Sequence, residues 1–109
     1  MSRDNHELRW VAVDLDKTVA DNSGFPEFKL TAPTHGAKEA LDKLTANGWK
    51  IIIHTARAWE NYEEIEVFLN KYEIPFRRIV CGKLLAKYYV DDRGVEFTGN
   101  WGETLDKIL

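Results

Sequence analysis

The chain has 109 residues and a formal net charge of −3 at neutral pH, which suits one domain with one moderate core and argues against a protein that coats nucleic acid. Hydrophobic residues make up 44% of the chain, and no apolar run approaches the roughly 20 residues that cross a bilayer. The polar first ten residues lack the apolar stretch of a signal peptide. Cys81 is the single cysteine, so no internal disulfide can form and the cytoplasm is the expected compartment.

The first half of the chain predicts two strands separated by a flap and a helix. "WVAV" (10–13) reads as a short strand bound for the interior. Residues 19–33 contain Gly and Pro among mixed polar residues and predict a loop or small hairpin, which we call the flap. A helix capped by Thr34 follows and ends near Asn47. The apolar run "WKIIIHT" (49–55) is typical of a strand buried on both faces.

The second half predicts two further helices and three short strands. Apolar residues at helical spacing predict a helix over roughly 59–72, whose acidic side is a solvated face. "RRIVC" (77–81) and "KYYVD" (87–91) are predicted to be strands, "VEF" (95–97) a last edge strand, and 102–109 a closing helix.

Strands that alternate with helices indicate an α/β fold, namely a Rossmann-like open parallel sheet with helices on both faces. No linker, repeat or low-complexity stretch interrupts the chain, so residues 1–109 are expected to form a single domain. In such sheets, ligands gather beyond the carboxyl ends of the strands. Polar residues follow the predicted strands directly. They are Asp14, Asp16 and Thr18, then His54, Thr55 and Arg57, and finally Asp91 and Asp92.

The four aspartates of this set would meet at one edge of the sheet, where they would repel one another without a cation. Mg²⁺ is the expected remedy, because it takes hard oxygen ligands and tolerates a few carboxylates beside its waters. The predicted metal ligands are Asp14, Asp16, Asp91 and Asp92.

The same residue types suit phosphoryl transfer. An aspartate can attack phosphorus and form an aspartyl-phosphate, and a second acid can protonate the leaving oxygen and then activate water. A hydroxyl and a lysine are also needed to stabilise the charge on the phosphoryl oxygens. Thr55 can supply the hydroxyl, and "CGKLLAK" (81–87) offers Lys83 and Lys87.

Four motifs in order resemble those of the haloacid dehalogenase (HAD) superfamily. "DLDKT" (14–18) has the DxDxT form of its first motif, and "IIIHTAR" (51–57) resembles its second. "GK" (82–83) before "YYVDDR" (88–93) resembles its third and fourth motifs. The order and strand contexts agree from residue 9 to about 93, and the tail is similar to the closing segment of small capless members.

The resemblance implies a role for each matching residue. Asp14 would be the nucleophile and a Mg²⁺ ligand, and Asp16 the general acid/base with its backbone carbonyl on the metal. Thr55 would hydrogen-bond the phosphoryl oxygens. The acidic pair would complete the metal site, with Asp92 favoured over Asp91 as the nearer ligand. The remaining implied substrate contacts are Thr18, Ala56, Arg57 and Lys83, with Lys83 favoured over Lys87 because Lys87 starts the predicted 87–91 strand.

This chain departs from the family pattern in two places. Lys17 stands where many members carry Gly, and a long side chain there could narrow the entrance. The stretch between the first two motifs, residues 19–54, is used up by the flap and the first helix, so no cap domain fits. The site is therefore expected to stay open unless a second subunit covers it, with Phe25 and Phe28 of the flap lining one wall.

Several residues also have structural interpretations. The acidic pair with Arg93 and Gly94 could be a simple turn. Arg57 could contact substrate phosphate or form a salt bridge to a nearby acid, and these two alternatives stay open. Trp59 and Trp101 are expected to pack rather than to stack on a substrate ring. His54 is interpreted as structural, because it precedes Thr55 and so faces the other side of its strand, and Cys81 as a small buried hydrophobic residue.

The predicted function is a Mg²⁺-dependent phosphatase acting on a phosphate monoester. Its substrate would be a phosphorylated small molecule or the phosphate end of a larger molecule, with nucleic acid and membranes not expected as partners. Two rivals remain, a receiver-like phosphoacceptor domain and a catalytically silent phosphate-binding module. In receiver domains the phosphoacceptor lies mid-chain, whereas here the acids lie in the first strand and near the end.

Overall fold

Three parallel strands form the centre of the structure, a computed structural model that describes residues 9–22 and 29–109. The strands are β1 (Trp10–Val13), β2 (Lys50–His54) and β3 (Arg78–Val80), in the sheet order β1-β2-β3. Their parallel register brings all three carboxyl ends to one edge of the sheet. The predicted α/β fold with a Rossmann-like open parallel sheet is thereby confirmed.

Three α-helices accompany the sheet. They are α1 (Ala37–Ala46), α2 (Tyr62–Lys71), which follows a 3₁₀ turn over Trp59–Asn61, and α3 (Trp101–Ile108). Helix α1 packs against both β2 and α3. The predicted helices are thus present, with the one over 59–72 divided into a 3₁₀ turn and an α-helix. Among the described residues, none of the helices is long and apolar enough to cross a membrane.

The strands contribute alternate residues to the core. In β2, Ile51 and Ile53 are buried in the same cluster as Leu41 and Leu44 of α1. The other residues of the strand are only half-buried. The prediction that this strand is buried on both faces is therefore wrong, because its second face remains partly open to solvent.

Helix α1 starts at Ala37, three residues after Thr34, which was the predicted cap. Gly36 occupies the N-cap position with a φ of +86°, a conformation that glycine adopts without strain. Thr34 is not the cap, because its hydroxyl donates instead to the carbonyl of Thr18 at 2.6 Å. The threonine therefore joins the start of α1 to the loop that follows β1.

The base of the flap forms a short antiparallel contact. The N–H of Asp21 donates to the carbonyl of Ala32, and the N–H of Thr34 donates to that of Val19. The predicted loop or small hairpin is confirmed at this base. Phe25 and Phe28, predicted to line a wall of the site, lie outside the described residues.

Residues 84–95, which we call the exposed segment, form no strand. The predictions of strands over 87–91 and 95–97 are both wrong. The hydroxyl of Tyr89 donates to the carbonyl of Leu84 and accepts from the N–H of Ala86, so the chain folds back on itself instead of extending along a sheet edge. Apolar side chains remain in solvent here, with Leu85 84% and Val90 100% exposed.

Candidate active site

The loop after β1 presents two carboxylates. Asp14 and Asp16 are half-buried and flank Leu15, whose side chain is wholly buried. The carbonyl of Leu15 accepts hydrogen bonds from the N–H groups of Val19 and Ala20 at 3.0 and 2.8 Å. The chain therefore curls tightly after the strand, and the anchoring of Leu15 holds the two aspartates at the carboxyl edge of the sheet.

Burial raises the pKa of the Asp14 carboxyl above its ordinary value, since desolvation disfavours the charged form. The positive charge of Lys83 opposes this effect and lowers the same pKa, as does a hydrogen bond from the Leu15 N–H, while the negative charge of Asp16 raises it. Asp14 is therefore a carboxylate with reduced hydration that lies close to both a cation and a second carboxylate. A basic, poorly hydrated carboxylate of this kind suits nucleophilic attack.

Asp16 is held by the guanidinium of Arg57 in a two-pronged ion pair. Nε and one terminal nitrogen of Arg57 donate to the two carboxylate oxygens at 3.0 and 2.8 Å. The Arg57 side chain is 6% exposed and that of Asp16 is 28% exposed. The sequence left open whether Arg57 contacts substrate or an acid, and the structure shows the salt bridge. The fork of two parallel hydrogen bonds fixes the orientation of the carboxylate.

Thr55 lies fully buried just beyond β2. Its N–H donates to the carbonyl of Val80 at 2.9 Å, and its side-chain oxygen accepts from the N–H of Arg57 at 3.1 Å. Its own carbonyl accepts from the N–H of Lys83 at 2.9 Å. These bonds join the loop after β2 to the loop after β3, so that Thr55, Arg57 and Lys83 form one rigid part of the edge.

Lys83, and not Lys87, lies near the first aspartate. The charge of Lys83 has the largest electrostatic effect of any charged group on Asp14, and its ammonium lies 4.6 Å from the centre of the Tyr89 ring. Lys87 belongs to the exposed segment, and its side chain lies in solvent with the ammonium over the ring of Tyr88. The structure therefore places the favoured lysine at the edge. We call Asp14, Asp16, Thr55, Arg57 and Lys83 the strand-end site.

Two other predicted substrate contacts border the strand-end site. Thr18 is half-buried in the loop after β1, and its carbonyl accepts from Thr34. Ala56 is exposed between Thr55 and Arg57. Thr18 and Ala56 are thus close to residues of the strand-end site along the chain.

Lys17 adopts a φ of +63°, in the left-handed region that favours glycine. Glycine would adopt this conformation with less strain than lysine, so the backbone of this turn does not explain why a lysine stands here. Asn22, which the sequence analysis overlooked, secures the turn, because its side-chain oxygen accepts from the N–H of Lys17 and its amide donates to the carbonyl of Lys29. Its position at the base of the flap is the only sequence signal for this role.

Asp91 and Asp92 are not brought to the strand-end site. Both are exposed, and the N–H of Arg93 donates to Asp91 at 2.8 Å and lowers the pKa of that carboxyl below its ordinary value. Asp92 lies 3.9 Å from the Arg93 guanidinium in a solvent-exposed pair. This is the turn that the sequence allowed as an alternative.

The described residues therefore do not fit the predicted four-carboxylate metal set. Within residues 9–22 and 29–109 there is no group of three or more His, Cys, Asp or Glu side chains that could hold a metal ion. Only Asp14 and Asp16 come together. The cations beside them are Lys83 and Arg57, which offset part of the repulsion between the two carboxylates.

The structural interpretations of three residues can also be compared with the structure. Trp101 is 6% exposed and donates from its indole to the Thr34 hydroxyl, so its packing role is confirmed. Cys81 is buried, and burial raises the pKa of its thiol. His54 is half-buried, but its charge lowers the pKa of Asp14, so it lies closer to the site than predicted. The register explains this, because Val13 pairs with Ile53 and the next residues are thus neighbours.

No protein-family model matches the chain, and no curated protein matches it. Two solved structures are similar in fold. A crystal structure of a structural-genomics target from Vibrio cholerae aligns with a TM-score of 0.67 at 24% identity over 92% of this chain and 98% of its own. A conserved protein from Bacteroides thetaiotaomicron aligns with a TM-score of 0.66 at 22% identity, over 91% and 88%. At these identities the likeness shows the shared fold, which spans nearly the whole of both chains.

Proposed function

We propose that the chain is a phosphate monoester hydrolase of the HAD type that works through an aspartyl-phosphate on Asp14. The observation that carries the proposal is the strand-end site, in which a poorly hydrated carboxylate lies beside a lysine, a buried threonine and a second carboxylate held by arginine. The order of the HAD-like motifs along the chain supports the same assignment.

The first chemical step transfers the phosphoryl group to the protein. A carboxylate oxygen of Asp14 attacks phosphorus as the bond between phosphorus and the leaving oxygen breaks. The leaving oxygen takes a proton from Asp16 or from a water beside it. Lys83 and the Thr55 hydroxyl stabilise charge on the phosphoryl oxygens.

The second step returns the free carboxylate. Asp16 accepts a proton from a water molecule, whose oxygen attacks phosphorus and releases Asp14 and inorganic phosphate. Arg57 occupies one lone pair on each oxygen of Asp16, and each oxygen keeps a second. Since the Asp16 side chain is 28% exposed, water can reach those remaining positions.

Mg²⁺ dependence is part of the proposal and rests on the resemblance, and of the four predicted ligands only Asp14 and Asp16 lie together. No step above passes through the metal, because the described structure holds Asp91 and Asp92 away from the strand-end site. The proposed compartment is the cytoplasm, and the proposed substrate is a small phosphate ester or the phosphate end of a larger molecule. A homo-oligomer could cover the open site.

One observation favours a second candidate function, a catalytically silent phosphate-binding module. Both oxygens of the proposed acid/base accept hydrogen bonds from Arg57, which orients Asp16 but also occupies it. Such a module would bind phosphate at Lys83 and Thr55 without turnover.

Phosphate release from p-nitrophenyl phosphate, measured with and without Mg²⁺, tests the proposal and separates the two candidates. We expect steady turnover that Lys83→Ala lowers by about tenfold or more and that Lys87→Ala leaves nearly unchanged. Phosphate binding by calorimetry without any turnover would favour the silent module. Loss of activity in Lys87→Ala with a normal Lys83→Ala would contradict the assignment of the lysine.

A further inference from the structure

Two exposed aromatic side chains flank the loop that carries the phosphate-binding lysine. Trp59 is 57% exposed and Tyr89 is 53% exposed. The indole Nε1 of Trp59 lies 3.6 Å from the position that a Cβ at Gly82 would take, and the ring of Tyr89 lies 4.6 Å from the Lys83 ammonium. Gly82 and Lys83 are consecutive, so the indole lies beside the backbone of this loop, while Tyr89 lies beside the ammonium at the end of the Lys83 side chain.

This loop is part of the strand-end site. The N–H of Gly82 donates to the carbonyl of Arg57 at 2.8 Å, and the N–H of Lys83 donates to that of Thr55 at 2.9 Å. An aromatic ring that rests on Gly82 is therefore at the rim of the place where a phosphoryl group would bind. The exposed indole is therefore available to a group attached to that phosphoryl group.

Trp59 differs from the other three tryptophans of the chain. Trp101 is buried, Trp49 is half-buried, and Trp10 is partly covered by the cations of Lys50 and Arg78 at 5.1 and 5.7 Å from its ring. The ring of Trp59 lies nearly parallel to that of Tyr62, with centroids 6.1 Å apart and planes 15° apart. Tyr62 thus packs against the indole and restricts its motion. The ring therefore loses less conformational entropy when a ligand binds.

We infer that Trp59 forms a stacking subsite for the leaving group of the substrate, and that this leaving group carries a flat aromatic ring such as a nucleobase. The inference rests on the proposed function, because the phosphoryl group must bind at Lys83 and Thr55 for its substituent to reach the indole. Stacking of a base on an aromatic side chain contributes about 1–3 kcal/mol, which corresponds to a gain in affinity between about fivefold and about a hundredfold.

Adenosine 5′-monophosphate and ribose 5-phosphate form a matched pair of substrates for the test, since they carry the same primary phosphate and differ by the base. We expect kcat/KM to be about tenfold higher for the nucleotide, with the difference residing in KM. Trp59→Ala should remove this preference and leave ribose 5-phosphate within about twofold, whereas Trp59→Phe should keep most of it. Trp10→Ala is the control, because Trp10 lies at the amino end of β1, far from the strand-end site. This variant should leave kcat/KM unchanged for both substrates.

Equal kcat/KM for the two substrates in the parent protein would overturn the inference. An equal loss on both substrates in Trp59→Ala would also overturn it, because Trp59 would then only support the loop. If neither ester is hydrolysed, the phosphatase assignment fails, and calorimetric titration with adenosine 5′-monophosphate decides the subsite alone. Binding that Trp59→Ala weakens and Trp10→Ala does not would support the subsite, and absent or Trp59-independent binding would overturn it.

Discussion

The strand-end site and the exposed segment carry the same kinds of side chains but are held very differently. In the strand-end site, partners come from distant parts of the chain: Arg57 binds the carboxylate of Asp16, and the backbone N–H of Thr55 donates to Val80. In the exposed segment the partners are local: the N–H of Arg93 donates to Asp91, and the hydroxyl of Tyr89 donates to the carbonyl of Leu84.

This difference shows what fixes a functional residue in space. A carboxylate that follows a buried strand is carried to the sheet edge by the strand's core residues, such as Val13 and Ile53. A carboxylate in a segment whose apolar side chains find no core is held only by its own turn. Asp14 is thereby desolvated and Asp91 is not, and burial moves the pKa of Asp14 up while a backbone hydrogen bond moves that of Asp91 down.

Replacing Asp14, the proposed nucleophile, should have the largest effect of any change in either region. We expect Asp14→Asn to lower phosphate release by at least about a thousandfold, since an amide cannot form the aspartyl-phosphate, while circular dichroism stays unchanged. Asp91→Asn is the matched control from the exposed segment and should retain far more activity. Residual turnover near the parent level in Asp14→Asn would contradict the nucleophile assignment.

Metal titrations of Asp16→Ala and Asp92→Asn would sharpen the comparison. Asp16→Ala should lose acid/base chemistry at any Mg²⁺ concentration. Asp92→Asn should keep most of the parent rate at any Mg²⁺ concentration, because the exposed Asp92 does not join Asp14 and Asp16 in the structure. Identical curves that added metal does not rescue would contradict this division of roles.

Weakening the ion pair between Arg57 and Asp16 should lower the stability of the fold more than weakening the exposed pair between Arg93 and Asp92 does. We expect Arg57→Lys to reduce the free energy of unfolding by about 1–3 kcal/mol, because lysine cannot donate the two parallel hydrogen bonds that hold Asp16. Arg93→Lys, which alters the exposed pair with Asp92, is the control and should change stability little. Urea unfolding of both variants measures the effect, and equal small changes would contradict the tight pairing.

The desolvated carboxyl of Asp14 predicts a dependence of stability on pH. Because burial raises the pKa of Asp14, the folded chain holds this proton more tightly than the unfolded chain does, and the cost of ionisation develops as pH rises through the raised value. Asp14→Asn should therefore be more stable than the parent by roughly 1 kcal/mol or less at pH 7 and by little at pH 4. Thermal unfolding at the two pH values tests this, and a difference that shrinks with rising pH would contradict it.

The smallest expected effect concerns backbone conformation beside the site. Lys17→Gly should stabilise the fold by about 0.5–1 kcal/mol, since the residue has a φ of +63°. Glu73→Gly, at a φ of +55° after α2, is a matched variant outside the site and should behave alike. Unchanged or lower urea midpoints in both variants would show that the greater freedom of glycine in the unfolded chain offsets the gain.

The sequence by itself determined the α/β fold and the residues that follow its first two strands. Strands such as "WVAV" and "KIIIH" are apolar runs rich in β-branched residues, which predicts a strand at each position although not that only one face of β2 is buried. Since parallel strands end at one edge, the placement of Asp14 and Thr55 at the same edge of the sheet followed from order along the chain. Lys83 also lies at this edge because it follows β3, whereas the argument against Lys87 depended on a strand over 87–91 that does not form.

Only the tertiary structure decided which groups pair across the chain. The sequence offered Arg57 two partners, and the 41-residue separation from Asp16 left no local signal to choose between them. The apolar run at 87–91 has the pattern of a strand, yet a strand also needs a neighbour to accept its backbone hydrogen bonds, and Tyr89 bonds to its own segment instead. Burial of the carboxylates, the conformation of Lys17 and the exposure of Trp59 depend likewise on contacts between distant residues, which local patterns do not encode.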